Sequence, residues 1–229
     1  MARKLTVEKK FPKEGVVFYK EGYVKFLDVK CSYPHLHEPQ KFTRDDGGEV
    51  EKYGMEGLIE SERFQESKAY LVQMIKKIME DKDCKCSKDK WFVVEGDADL
   101  RPELDGMYQI KASESRRPDI LSVDGDELEA KKEIRELFYP GVRCDMLIRP
   151  WGQNYRDPKK GTTAKRVNAG LVSVKWRRDD TRLGEEPIDT SDAWDDEEDD
   201  EFFEKQQPKS TGGRQSSSSN NNDDDEDAL

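Results

Sequence analysis

Apolar positions along this chain switch between two periods, and the switches mark its elements. Tyr23 to Tyr33, YVKFLDVKCSY, alternates imperfectly and is rich in β-branched and aromatic residues, which predicts a strand that opens the core. A loop is expected next, around Pro34, Pro39, Gly47 and Gly48. From Ser61 to Met79 the period lengthens: Phe64, Leu71, Ile75, Ile78 and Met79 recur at helical spacing, with Ser61 placed to cap. Trp91 to Gly96 reads as a short buried strand, Met107 to Ser115 as a strand with one wet face, and DILSVDG (119–125) as a strand and turn. A second helix is predicted over Asp126 to Phe138, where Asp126 and Glu129 have capping-box spacing and Pro140-Gly141 provides a stop. Val142, Cys144, Met146 and Ile148 then alternate with Arg143, Asp145 and Arg149; a polar loop, GQNYRDPKKGTTAK, leads into the last strand, RVNAGLVSVKW. Five or six short strands with two helices fit a small β-barrel, with an open α+β sheet as the alternative.

Composition divides the chain in two. Of its 229 residues, 40% are charged and 33% hydrophobic, enough for one core of roughly 150 to 180 residues and a remainder that cannot fold. The net charge of −11 conceals an asymmetry: residues 185–229 hold seventeen Asp and Glu against Lys205, Lys209 and Arg214, or −14, while residues 1–184 carry +3. Two parts are expected, a folded body over 1–184 and a disordered acidic tail over 185–229, whose Ser, Asn and Asp repeats bury too little apolar area to offset ordering entropy. No apolar run is long enough to span a bilayer, and Met1 to Leu5 leads into charge rather than a signal core, so the expectation is a protein that is neither membrane-bound nor exported. Four cysteines, two of them in Cys84-Lys85-Cys86, do not form a secreted disulfide framework and indicate a reducing, cytoplasmic compartment.

The positive charge is concentrated. Between Arg143 and Arg178 ten basic residues face only Asp145 and Asp157, so that window alone carries +8. Trp151, Tyr155 and Trp176 are interleaved with them. Cations for phosphates and flat faces for unstacked bases are what single-stranded nucleic acid requires. The phosphate-neutralising candidates are Arg149, Lys159, Lys160, Lys165, Arg166, Lys175 and Arg177, and the stacking candidates are Trp151, Tyr155, Tyr108 and Tyr33. A second surface in QIKASESRRPD places Tyr108 and Lys111 on or near one strand face with Arg116-Arg117 at its end, diluted by Glu114 and Asp119. Tyr33, with His35 and His37, marks a further rim position. Trp91 reads as core, and Trp176 is undecided between core and groove. The plain alternative is a solvated hairpin with its tryptophans packed inside.

The tail contains DAWDDEEDDEFFE (192–204), three large aromatics in a row of like charges. Tethered to a basic hairpin, such a segment competes for it at an effective concentration on the order of millimolar. Displacement by DNA would free Trp194, Phe202 and Phe203 for partner proteins. A tail kept only for solubility would not need them.

FYPGVRCDMLIRPW, NAGLVSVKWRRDDTRLG and DTSDAWDDEEDDEFF together resemble the OB-fold single-stranded DNA-binding proteins of tailed bacteriophages. The resemblance covers most of the body. It implies a mainly β fold with two helices, built on a five-stranded OB-fold β-barrel. It also implies binding to single-stranded DNA without strong sequence preference, in DNA replication, recombination or repair, and a tail that recruits replication enzymes such as a polymerase or a helicase/primase. Tails in similar proteins often end in an aromatic residue; this one ends Asp227-Ala228-Leu229, so the partner-binding element is the Trp194 to Phe203 block, the last residues including Asp227 and Leu229, or both. A homodimer stays open.

Enzyme readings have less support. His35, His37, Cys84 and Cys86 offer two ligand arms, but His-x-His and Cys-x-Cys are not the usual zinc spacings. Asp97, Asp99, Glu103 and Asp105 cluster like nuclease metal ligands, yet a solvated acidic turn explains them and is preferred. No enzyme activity, cofactor or metal is expected. The competing class is an adaptor or inhibitor whose acidic tail mimics DNA and binds a protein instead.

Overall fold

The structure, a computed structural model, describes residues 4–43, 48–156 and 163–184. A hairpin of β1 (Val7–Phe11) and β2 (Val16–Tyr19) opens it, followed by β3 (Val24–Thr43), β4 (Glu49–Glu60) and α1 (Glu66–Asp81). Then come β5 (Val93–Glu95), β6 (Met107–Glu114), β7 (Asp119–Leu121), α2 (Lys131–Leu137), β8 (Arg143–Arg156) and β9 (Thr163–Arg178). The ladder order is β5-β6-β4-β3-β8-β9-β7, antiparallel except for β7 on β9, with β2 joining the edge of β3. The fold is mainly β with two helices. Its five long strands run β6-β4-β3-β8-β9, the order of a partly open OB-type barrel. β6 packs against β9, but among the described residues no ladder joins them, and the sheet is not closed.

The alternation that predicted β8 and β9 is realised over longer strands than expected, whereas the first half of the chain differs. β3 does not stop at Tyr33. It continues through Pro34 and Pro39, and its register with β4 shifts between Ser32 and His35 and again between His35 and Gln40. Proline has no N–H to give a ladder, so each one sits where pairing is already broken. β4 falls where a loop was expected, because its charged residues and glycines mask the inward positions Met55, Gly57 and Ile59. Gly57 is a close-approach site: a Cβ there would lie 2.5 Å from Met146 Sδ. The β1–β2 hairpin was not anticipated at all.

Both helices are shorter at the N-terminus than predicted, for reasons of capping. α1 begins at Glu66, and Gln65 at its N-cap makes no side-chain cap. The cap comes instead from Glu14, in the β1–β2 turn. Its carboxylate accepts hydrogen bonds from the Glu66 and Ser67 amides, each 2.8 Å, and from the Ser67 hydroxyl. A carboxylate on the first-turn amides also meets the positive end of the helix dipole. α2 begins at Lys131, because Asp126 closes a turn on the Ser122 hydroxyl (3.2 Å) and Glu127 bridges to Leu121.

The core lies inside the curved sheet and under α1: Phe18, Phe26, Phe64, Leu71, Ile75, Ile110 and Ile148 are fully or almost fully buried there. Trp91 and Trp176 pack against it as partly buried side chains.

β3 bends at Asp28, whose φ of +54° is rare for a residue with a side chain. The bend coincides with a register shift against β8 between Phe26 and Val29. The peptide groups it turns out of the ladder are served by side chains. Asp145 Oδ1 accepts from the Asp28 amide (2.9 Å), and Arg143 and Arg63 donate to the Asp28 carbonyl (3.2 and 3.1 Å). Arg143 also pairs with Glu60 (2.9 Å) and Asp180 (2.7 Å), so one guanidinium links β3, β4, β8 and the segment after β9.

Burial alone would raise the Glu14 pKa, but the hydrogen bonds from Ser67 and Glu66 outweigh it and hold the carboxyl below its ordinary value. Stability from a depressed carboxyl is present above the unfolded-state pKa and lost as pH falls through the folded one. Glu14→Gln is therefore expected to lower stability by about 1 kcal/mol at neutral pH, the usual worth of an N-cap. In urea unfolding series, the gap between wild type and variant should close on acidification; a gap independent of pH would show that Glu14 does not act as an ionised cap.

Candidate nucleic-acid interface

Cross-strand register decides which residues of the basic hairpin share a surface. Arg149, Trp151, Gln153 and Tyr155 lie directly opposite Gly170, Asn168, Arg166 and Ala164. Directly opposed residues point to the same side, so these eight line one face and alternate residues such as Val167 and Ala169 enter the core. On the shared face Trp151 is 44% exposed and Tyr155 51%. Asn168 donates to Gln153 (2.8 Å), a rung between the two aromatics. Arg149 reaches over Tyr23, 5.8 Å from its ring centre.

Beside this face is a cleft of about 660 Å³ lined by Tyr23, Arg116, Arg117, Arg149, Trp151 and Gly170, with Asp81, Glu114 and Asp119 also on its wall. Gly170 keeps the floor low, since a Cβ there would sit 2.9 Å from Glu114 Oε2. Arg117 is anchored on the Leu128 carbonyl (2.5 Å), while Arg116 is exposed. Arg116-Arg117, expected on a second surface, thus join the hairpin at one cleft. Tyr23, Gln153 and Asn168 were not singled out from sequence. The parity of β8 against β9 is the signal that could have found the last two.

Ion pairing separates the predicted cations. Among the described residues Arg149, Arg166 and Lys175 have no carboxylate partner within 4.0 Å, and Lys175 lies on β9 beyond a register irregularity. Arg177 makes two charge-assisted hydrogen bonds to Asp145, 2.7 and 2.6 Å, and this pairing raises its pKa. Lys165 points away from the aromatic face toward Asp83 (3.4 Å), and Lys111 lies 4.0 Å from Glu56. Lys159 and Lys160 fall outside the described residues, as do Trp194, Phe202, Phe203, Asp227 and Leu229 of the tail.

Tyr108 and Lys111, three apart on β6, take opposite faces rather than one. Tyr108 is half-buried against Phe64, with Lys68 Nζ 4.6 Å from its ring centre and 2.9 Å from its hydroxyl. Tyr33 is 56% exposed and Arg101 lies 4.7 Å from its ring centre. The histidines and the Cys84-x-Cys86 arm do not meet: His35 and His37 line a cleft near α2, while Cys84 is buried with its thiol 3.8 Å from the Ile78 carbonyl. Among the described residues no three His, Cys, Asp or Glu side chains gather as a metal site.

This geometry agrees with what the sequence matches. Residues 23–203 match the family described as Enterobacter phage Enc34, ssDNA-binding protein. The chain belongs to that family. Similar solved structures include the single-stranded DNA-binding protein from bacteriophage Enc34, 37% identical, with a TM-score of 0.68 over 84% of this chain and 99% of that one. The Enc34 protein in complex with ssDNA is also 37% identical, with a TM-score of 0.69 over 80% of this chain and all of that one. Among curated proteins none matches the chain. The family match takes in the hairpin, both sides of the cleft and the acidic-aromatic block of the tail.

Asp145 is buried while Arg177 is 43% exposed, so removing Arg177 strands a charge that water reaches poorly. Arg177→Ala should cost about 2 kcal/mol of stability by leaving buried Asp145 uncompensated, whereas Arg149→Ala should stay within about 0.5 kcal/mol. Chemical denaturation of the two variants side by side tests this division between structural and free cations; equal losses would refute it.

Proposed function

We propose that this protein binds single-stranded DNA through the β8–β9 face and its adjoining cleft. The observation that carries the reading is the coincidence, on one face, of two exposed aromatics with arginines that have no carboxylate within 4.0 Å among the described residues. Trp151 and Tyr155 stack on bases; Arg149, Arg166 and Arg116 contact phosphates, with Lys159 and Lys160 contributing from the β8–β9 connection. Stacking and phosphate contacts are indifferent to base identity, so binding has little sequence preference. The 37% identical Enc34 protein, solved in complex with ssDNA, supports the assignment.

On this reading the protein coats single strands during phage DNA replication or recombination in the host cytoplasm, without catalysing a reaction. The acidic residues 185–229 compete with DNA for the basic face and recruit replication proteins through Trp194, Phe202 and Phe203. Among the described residues no helix is long and apolar enough to cross a membrane.

Each stacking residue is worth about 1 to 3 kcal/mol, so Trp151→Ala should weaken oligo-dT binding roughly tenfold or more in a fluorescence titration, and Tyr155→Ala similarly. Four or five phosphate contacts give a slope of roughly −3 in log K against log salt. Preference for the single strand over duplex, greater affinity in a chain ending at Gly184, and loss in both aromatic variants are the expected results. Absence of DNA binding at low salt would return the protein to the DNA-mimicking adaptor class.

A further inference from the structure

A second aromatic and cationic cleft, of about 340 Å³, is lined by Tyr33, His35, His37, Arg135, Tyr139 and Arg182. Both histidines of the chain are here, and no carboxylate is among the lining residues. It shares no lining residue with the cleft beside the hairpin, so this is a separate site. Its floor is apolar, formed by Pro34, Phe138 and Pro140.

Two tyrosines are held in place here rather than merely exposed. Tyr33 has a φ of +47°, a conformation costly for an aromatic residue and one that concentrates at functional positions. Arg101, fixed by a 2.8 Å pair with Glu56, supports its ring from one side and leaves the residue 56% exposed. Tyr139 is pinned through its hydroxyl, which donates to Asp179 (2.9 Å) and accepts from the Asp180 amide (3.2 Å). The Arg182 guanidinium lies 4.1 Å from the centre of that ring. Among the described residues neither Arg135 nor Arg182 has a carboxylate within 4.0 Å, although the nearby cations Lys131, Arg143 and Lys30 all do.

We infer that this cleft is a second binding site for single-stranded DNA, taking one nucleotide of the bound strand. A base stacks on the open face of Tyr33, and Arg135 and Arg182 hold the flanking phosphates. The volume is at the low end for ligand sites and suits one nucleotide better than an extended peptide. An apolar floor, pinned aromatic faces and two arginines without a carboxylate within 4.0 Å among the described residues match an unstacked base and its phosphates in the way proposed for the hairpin. The inference rests on the proposed function: the two sites would engage the same strand and lengthen the segment each protein molecule occludes.

The test uses the full chain and a 30-nucleotide oligo-dT. The Arg135→Glu/Arg182→Glu variant should lower the salt slope by about 1.4, two contacts at roughly 0.7 each, and weaken binding at least tenfold. Independently, photocrosslinking of wild-type protein to an oligonucleotide carrying 5-iododeoxyuridine should yield adducts at Tyr33 or Tyr139 in addition to the hairpin aromatics. Unchanged slope and affinity, with crosslinks confined to Trp151 and Tyr155, would overturn the second site alone. If Trp151→Ala binds as tightly as wild type, the hairpin reading itself fails, whatever the cleft variant does.

Discussion

The bend of β3 at Asp28 is the constraint on which the rest of this structure depends. A strand of twenty residues cannot remain in one plane and also form the wall of a barrel; it has to break its ladder and turn. Breaking a ladder inside a protein exposes peptide groups that must find other partners. Here the partners are charged. Asp145 takes the amide, Arg63 and Arg143 take the carbonyl, and Arg177 and Arg178 neutralise the two aspartates involved. The same arginines reach Glu60 and Asp180, so the end of β4 and the segment after β9 are fixed by the charges that hold the bend.

This network explains why the basic window between Arg143 and Arg178 is not uniform in role. Its ends, Arg143 with Arg177 and Arg178, hold the bend. In its middle, Arg149 and Arg166 lie on the face that carries two exposed aromatic rings. A linear count of charge sees one patch of +8; the fold makes two populations with different partners. The sorting follows from β8 being long enough to serve the core at one end and the exposed aromatic face at the other.

Much of the second half of the fold was legible from alternation alone, because β8 and β9 are amphipathic strands in the ordinary sense, and Trp151 and Tyr155 fell on the face their parity implies. The first half was obscured by three physical causes. Prolines read as loop, yet Pro34 and Pro39 sit at register breaks within β3. β4 places Gly57 where a larger inward residue would strike Met146, so its apolar signal is weakened where the packing is closest. α1 has no local cap, since Glu14 reaches it across more than fifty positions, and no local window can register such a partner. At the candidate site, the cations and aromatics of the hairpin were legible in the sequence but their ion pairing was not. Arg177 and Arg149 are equivalent until Asp145 is found beside one of them. The cleft at Arg135 and Arg182 was signalled only through Tyr33, His35 and His37 on β3, because its other walls come from α2, the residues just after it and the segment beyond β9.

The family match begins at Tyr23, after the β1–β2 hairpin. By likeness of sequence, the residues ahead of that point stand outside the matched body. By energetics they are integral to it, since Phe18 is buried in the core, Phe11 packs edge-on against Phe18, and Glu14 seals the end of α1. A sixteen-residue helix is marginal by itself in water, so α1 depends on the hairpin, and the boundary of the family match does not coincide with the boundary of the cooperative unit. A fragment trimmed to the matched residues would keep the aromatic and cationic face of β8 and β9 and still lose the element that holds its longer helix in place.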